Sequence, residues 1–102
     1  MSYPIKYTEE AMEDILRIYD EVFSSSLDHT ITKNYINELI NKVDSIIDFP
    51  ESGSPLTYGS FTSDYRYIIY KSYLAFYHIY NETIIVDRIL FARSDYIKTL
   101  KL

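Results

Sequence analysis

Three runs rich in Tyr, Ile, Phe and Val, spanning 65–70, 73–80 and 83–91, follow one another with only Lys71-Ser72 and Asn81-Glu82 between them. Two residues are enough for a tight reversal and far too few for the crossover of a parallel pair. The runs therefore predict two antiparallel hairpins and a three-strand meander. Ahead of them the hydrophobic period changes from two to 3.6. Ala11, Ile15, Ile18, Tyr19, Val22 and Phe23 recur at i, i+3, i+4 and i+7, which predicts a helix from an N-cap at Thr8 to about Phe23, with Glu9 and Glu10 at the positive end of its dipole. Glu9, Glu13, Asp14, Arg17, Asp20 and Glu21 fall on its wet face. Ser24, Ser25 and Ser26 end it, and Ser26 or Asp28 caps a second helix that buries Ile31, Tyr35, Ile36, Leu39, Ile40, Val43, Ile46 and Ile47 and runs to about Phe49. Pro50 stops that helix, and 51–55 is rich in turn residues. Tyr3 to Tyr7 predicts a short outer strand, and Ser94 or Asp95 caps a last short helix through Tyr96, Ile97 and Leu100. The order predicts one α+β domain over 1–102: an N-terminal strand, an antiparallel helix hairpin lying on a twisted antiparallel sheet, and a short C-terminal helix.

Composition narrows the function classes. Cys is absent, which removes disulfides, thiolate nucleophiles and thiolate metal sites. Apolar residues make up 47% of the chain, too many for disorder, yet none lie in a run long enough to span a membrane, and the N-terminus lacks a signal-peptide core. A soluble, cytoplasmic protein is expected. The net charge of −5 opposes non-specific binding to nucleic acid. That charge is uneven, because residues 1–64 carry four basic and twelve acidic side chains while residues 65–102 carry six and three. The sheet end is the basic end. Acidic helix faces that keep the protein soluble explain this as well as a functional patch does.

The phrases AMEDILRIYDEV in the first helix, IIDFPESG after the second, and YLAFYHIYNETIIVDRILFARSDYIKTL through the sheet resemble the ParE branch of the RelE/ParE superfamily of bacterial toxins. The most specific pieces are a central strand reading Tyr73, Leu74, Ala75, Phe76, Tyr77 and a following strand that carries Arg88, Ile89, Leu90, Arg93 and Asp95. The resemblance covers nearly the whole chain. It implies the RelE/ParE-like fold and the toxin of a type II toxin-antitoxin pair, held inactive in a hetero-oligomer with a cognate antitoxin. Two activities are known on this fold. RelE-like members cut messenger RNA on the ribosome, and ParE-like members poison DNA gyrase.

The residues favour the second. Cutting RNA needs several cations and an acid or base on one sheet face. RelE-like cutters place an Arg after the central-strand Tyr, where this chain has Leu74, and the segment from Leu56 to Asp64 contains no Lys or Arg. Inhibition of gyrase by binding needs a shaped surface, with no cofactor, metal or catalytic residue. The residues assigned to target binding are Arg93, Arg88, Arg66, Tyr96 and Lys98, with Arg93 foremost because it matches the family motif. Phe91 and Ala92 stand where relatives often read His or Tyr and then Gly, and Ser94 stands where a second Arg is common. For the antitoxin, the resemblance implies a groove along the helix hairpin, with Ile18, Val22, Phe23 and Tyr35 as its apolar contacts. The alternatives are a ribosome-dependent mRNA endonuclease and a relative that has lost toxicity and only binds its antitoxin.

Each residue also has a plain structural reading. Arg93 can fasten the last strand through an ion pair to Asp95 or Asp64. Arg88, on a strand face with Ile84, Val86 and Leu90, can be a snorkelling side chain. The strand tyrosines fit sheet packing better than base stacking. His29 and His78 have no ligand-spaced partner, so no metal site is expected. Asp44 and Asp48 read as a solvated face. Ile18, Val22, Phe23 and Tyr35 can equally be core.

Overall fold

Thr8 adopts an extended backbone and its hydroxyl accepts a hydrogen bond from the Ala11 amide, so helix α1 (Glu9–Ser26) starts where its cap dictates. The helix outlasts the predicted stop by one turn. The Ser24 hydroxyl bonds back to the Asp20 carbonyl, and it is Leu27, at φ 54°, that closes the end by donating to the Phe23 carbonyl. Asp28 then caps α2 (His29–Asp44) by accepting from the Ile31 amide. Beyond Asp44 the chain tightens into a 3₁₀ turn at Ser45–Ile47, short of the predicted end at Phe49. These elements belong to a computed structural model that describes residues 2–102.

Five strands follow the order β1–β5–β4–β3–β2, with β1 (Ile5–Tyr7), β2 (Ser54–Tyr58), β3 (Phe61–Tyr70), β4 (Tyr73–Tyr80) and β5 (Thr83–Phe91). The two hairpins form at Lys71-Ser72 and Asn81-Glu82, with Lys71, Asn81 and Glu82 at positive φ as such tight turns require. Two expectations are corrected. The sheet is mixed, because β1 pairs parallel to β5, a geometry the long excursion through both helices permits. It also has one strand more than predicted. β2 escapes the hydrophobic pattern because it is an irregular edge strand with Pro55 in it and only Leu56 buried.

The sheet is covered on both faces. Against the helices lies a core built on Ile18, Leu39, Val43, Ile46, Tyr77 and Val86, all at most 1% exposed. Behind it, Leu56, Leu74, Phe76 and Leu90 meet Leu100 and the short helix α3 (Tyr96–Thr99). That is why 73–77 of β4 is buried without alternation.

Tyr77 also fixes the loop before the sheet. Its hydroxyl donates to the Pro50 carbonyl at 2.7 Å and accepts from the Gly53 amide at 2.9 Å. A Cβ on Gly53 would sit 2.7 Å from Tyr77 Cε1 and 2.9 Å from Cζ. Gly53→Ala must therefore push a fully buried ring aside, and a loss of about 1–3 kcal/mol is expected. A thermal melt unchanged from wild type would refute that packing.

Candidate functional site

A register slip in β5 decides where Arg88 goes. Tyr77 faces Val86 and Phe76 faces Arg88, so Asp87 is an extra residue in a β-bulge. Alternation therefore breaks after Val86: Ile89 joins the helix-side core while Leu90 turns to the back, and the four residues Ile84, Val86, Arg88 and Leu90 do not share one face. The Ile89 amide is taken by Asp14 Oδ2 at 2.9 Å.

Asp14 is a correction to the helix pattern. Predicted to be wet, it is 1% exposed and accepts from Arg88 Nε at 2.8 Å, Arg88 Nη2 at 3.0 Å and Arg17 Nη1 at 2.7 Å as well as from Ile89. Burial pushes this carboxyl up, but the hydrogen bonds from Arg88, Ile89 and Arg17 outweigh it and hold it below the usual carboxylate range. Arg88 is thus committed to fastening α1 onto β5. Arg66 is committed as well, its Nη1 donating to the carbonyls of Glu51 at 3.1 Å and Gly53 at 2.9 Å.

Arg93 is different. It stands exposed on the turn after β5 and makes no hydrogen bond or ion pair among the described residues. The ion pair to Asp95 or Asp64 does not form; Asp95 caps α3 instead, accepting from the Lys98 amide at 3.3 Å. The turn itself is braced. Ser94 donates through both amide and hydroxyl to the Phe91 carbonyl, and the Ala92 amide donates to the Ser72 carbonyl at 2.8 Å. That last bond sets the β3–β4 turn beside Arg93 and brings in Lys71, whose Nζ lies 5.0 and 5.4 Å from the ring centroids of Tyr35 and Tyr70. Tyr96 lies half-buried against Phe76, 5.2 Å between centroids, and anchors α3, leaving Lys98 exposed.

Below these turns a groove of about 410 Å³ runs between the helix hairpin and the sheet end, lined in part by Val22, Tyr35, Tyr73 and Phe91. Two of the four residues assigned to the antitoxin, Val22 and Tyr35, therefore line this groove. Phe23 instead stacks on His29 at 4.2 Å. Ile18 is fully buried in the helix–sheet core, so it has no surface to offer a partner. Lys71 and Phe91 were missed; only the contact between the two turns shows their relevance. The outer face of α1 also exposes Met12 at 54% and Leu16 at 69%.

The remaining polar residues are placed elsewhere. His78 Nδ1 is 2.6 Å from Asp87 Oδ2, beside the edge of Tyr65, so it does have a partner, though not a metal-binding one. Burial raises the Asp87 carboxyl and Glu10 adds to the effect, with His78 opposing both. Asp44, read as solvated, accepts from the Tyr7 hydroxyl at 2.8 Å. Among the described residues no three His, Asp or Glu side chains converge as metal ligands would.

A helix hairpin on a five-strand sheet, with one short helix behind, is the architecture of known toxins from toxin-antitoxin pairs. The chromosomal ParDE system of P. aeruginosa matches with a TM-score of 0.75 at 15% identity, over 90% of this chain and 98% of the other. E. coli toxin RelE, a mutant in the free state, matches at 0.64 and 16% identity, over 97% and 93%. The RelBE2 complex of Mycobacterium tuberculosis matches at 0.62 and 15% identity, over 89% and 99%. The chain belongs to the ParE toxins of type II toxin-antitoxin systems, whose family model matches residues 5–96. No curated protein sequence matches it.

Proposed function

We propose that this toxin arrests growth by binding DNA gyrase through the Arg93 turn, in the cytoplasm and without catalysis of its own, and that a cognate antitoxin holds it inactive in a hetero-oligomer. The supporting observation is the unpaired Arg93 on a braced turn: its charge is free for a partner, and its position costs little ordering on binding. Lys98, on α3, is exposed as well. Gyrase rather than RNA is favoured by what the cations lack nearby. The sheet imidazole, His78, lies opposite Ile85, whereas Phe91, two residues before Arg93, lies opposite Tyr73. Five residue steps along the strand separate them, about 17 Å, so this base and the free cation do not meet at one phosphate.

Purified protein is expected to inhibit supercoiling by gyrase in a dose-dependent way. Cuts in messenger RNA that appear only during translation would instead establish the endonuclease reading. Harmless expression in the absence of antitoxin would identify a relative that has lost its toxicity.

A further inference from the structure

The two ends of the helix–sheet sandwich carry opposite unspent charge. At the end where β4 turns into β5, the loop after α2 and the residues before β1 leave a pocket of about 800 Å³, walled by Tyr3, Phe49, Pro50 and Ile79. Asp48 and Glu51 also line it. Both are exposed, and neither has a cation within ion-pair distance among the described residues. Arg66 reaches this loop only to donate to the carbonyls of Glu51 and Gly53. Phe49 is 72% exposed, so part of the apolar wall faces water. The pocket therefore suits an apolar side chain accompanied by a cation. The chain carries such a pair at its opposite end: Phe91, 43% exposed, and Arg93, exposed and without an ion pair, stand two residues apart on the braced turn after β5. Along β4, Tyr73 beside Phe91 and Ile79 in the pocket are six residue steps apart, about 20 Å, so no molecule seats its own turn.

We infer that this pocket receives the Arg93 turn of a second copy of the toxin, with Phe91 against its apolar wall and Arg93 facing Asp48 and Glu51. Complementary charge, with an aromatic residue and an arginine as anchors, makes the second copy the occupant. The turn is already braced, so docking orders little else. The contact is heterologous, because the surface given and the surface received differ; copies add head to tail, and each contact covers one Arg93 turn. Accumulated toxin then masks its own toxic surface. That masking rests on the toxicity reading of Arg93, whereas the head-to-tail contact does not.

The test is sedimentation of the purified full chain, freed of antitoxin, at rising concentration. Its weight-average mass is expected to climb past that of two chains in dilute salt and to fall back towards one in concentrated salt. A pocket variant, Asp48→Asn with Glu51→Gln, keeps the side-chain shapes and removes both charges. That variant and Arg93→Glu are each expected to stay monomeric. Their equimolar mixture should form a dimer and nothing larger, because one variant lends only its turn and the other only its pocket. Circular dichroism melts of both should match wild type, since all three residues are exposed. A wild-type chain that is monomeric throughout, a variant that associates as wild type does, or a mixture that stays monomeric overturns the contact. Loss of antitoxin affinity in the pocket variant, with wild type monomeric, gives the pocket to the antitoxin and likewise overturns it. If the contact holds, gyrase inhibition per molecule should decline as wild-type concentration rises and should not decline in the pocket variant. The expected mass changes in a free protein that leaves growth untouched would refute the toxicity reading of Arg93 and leave the head-to-tail contact standing.

Discussion

Asp14→Ala is expected to destabilise the protein by about 3–5 kcal/mol, the range seen when one partner of a buried ion pair is removed. The substitution strands the Arg88 guanidinium, the Ile89 amide and one arm of Arg17 at once, and it opens the seam between α1 and β5. For a domain of this size the melting temperature should fall by about 15–30 °C. Because Asp14 and Arg88 act as a unit, the double alanine variant should lose much less than the sum of the singles. The effect depends on pH in a fixed direction. The folded carboxyl titrates below its ordinary 3.8, so its stabilisation is full above that value and is lost as pH falls through the lowered one. Wild-type and Asp14→Ala stabilities should therefore converge in acid. Equal melting temperatures at pH 7 would show that Asp14 holds nothing together.

Arg93→Ala should have the opposite profile. Growth arrest is expected to disappear and gyrase inhibition to drop by at least about tenfold, equivalent to roughly 1.4 kcal/mol of binding. The melting temperature should stay within about 2 °C of wild type, since an exposed side chain without partners contributes little to folding. Arg88→Ala supplies the contrast: any toxicity it loses should go with a lower melting temperature and less soluble protein. If Arg93→Ala arrests growth as well as wild type, the turn is not the toxic surface.

Much of this architecture was legible from hydrophobic period and turn length. Thr8 and Asp28 behave as the caps they resemble, and both two-residue hairpins form where they were placed. What was hidden has physical causes. Asp14 looks wet because helical period sorts charge outward and knows nothing of a bulge 75 residues later whose free amide needs an acceptor. The bulge also moves Leu90 to the other face, an offset no alternating pattern contains. Arg66, Arg88 and Arg93 look alike in the sequence, yet two donate to carbonyls or a carboxylate of the molecule and one faces water. Ile18 and Val22 are one helical turn apart on the same apolar stripe, yet Ile18 is fully buried while Val22 lines a groove.

The clasp between Asp14 and Ile89, together with the pairing of Ile5 to Ile84, joins the first helix and first strand to the last. Contacts of such long sequence separation carry the full entropy of loop closure and form late. A chain still emerging from the ribosome cannot complete its sheet until β5 has been released, so synthesis itself should delay the appearance of a competent toxin. An antitoxin already present would meet its partner at the moment of folding.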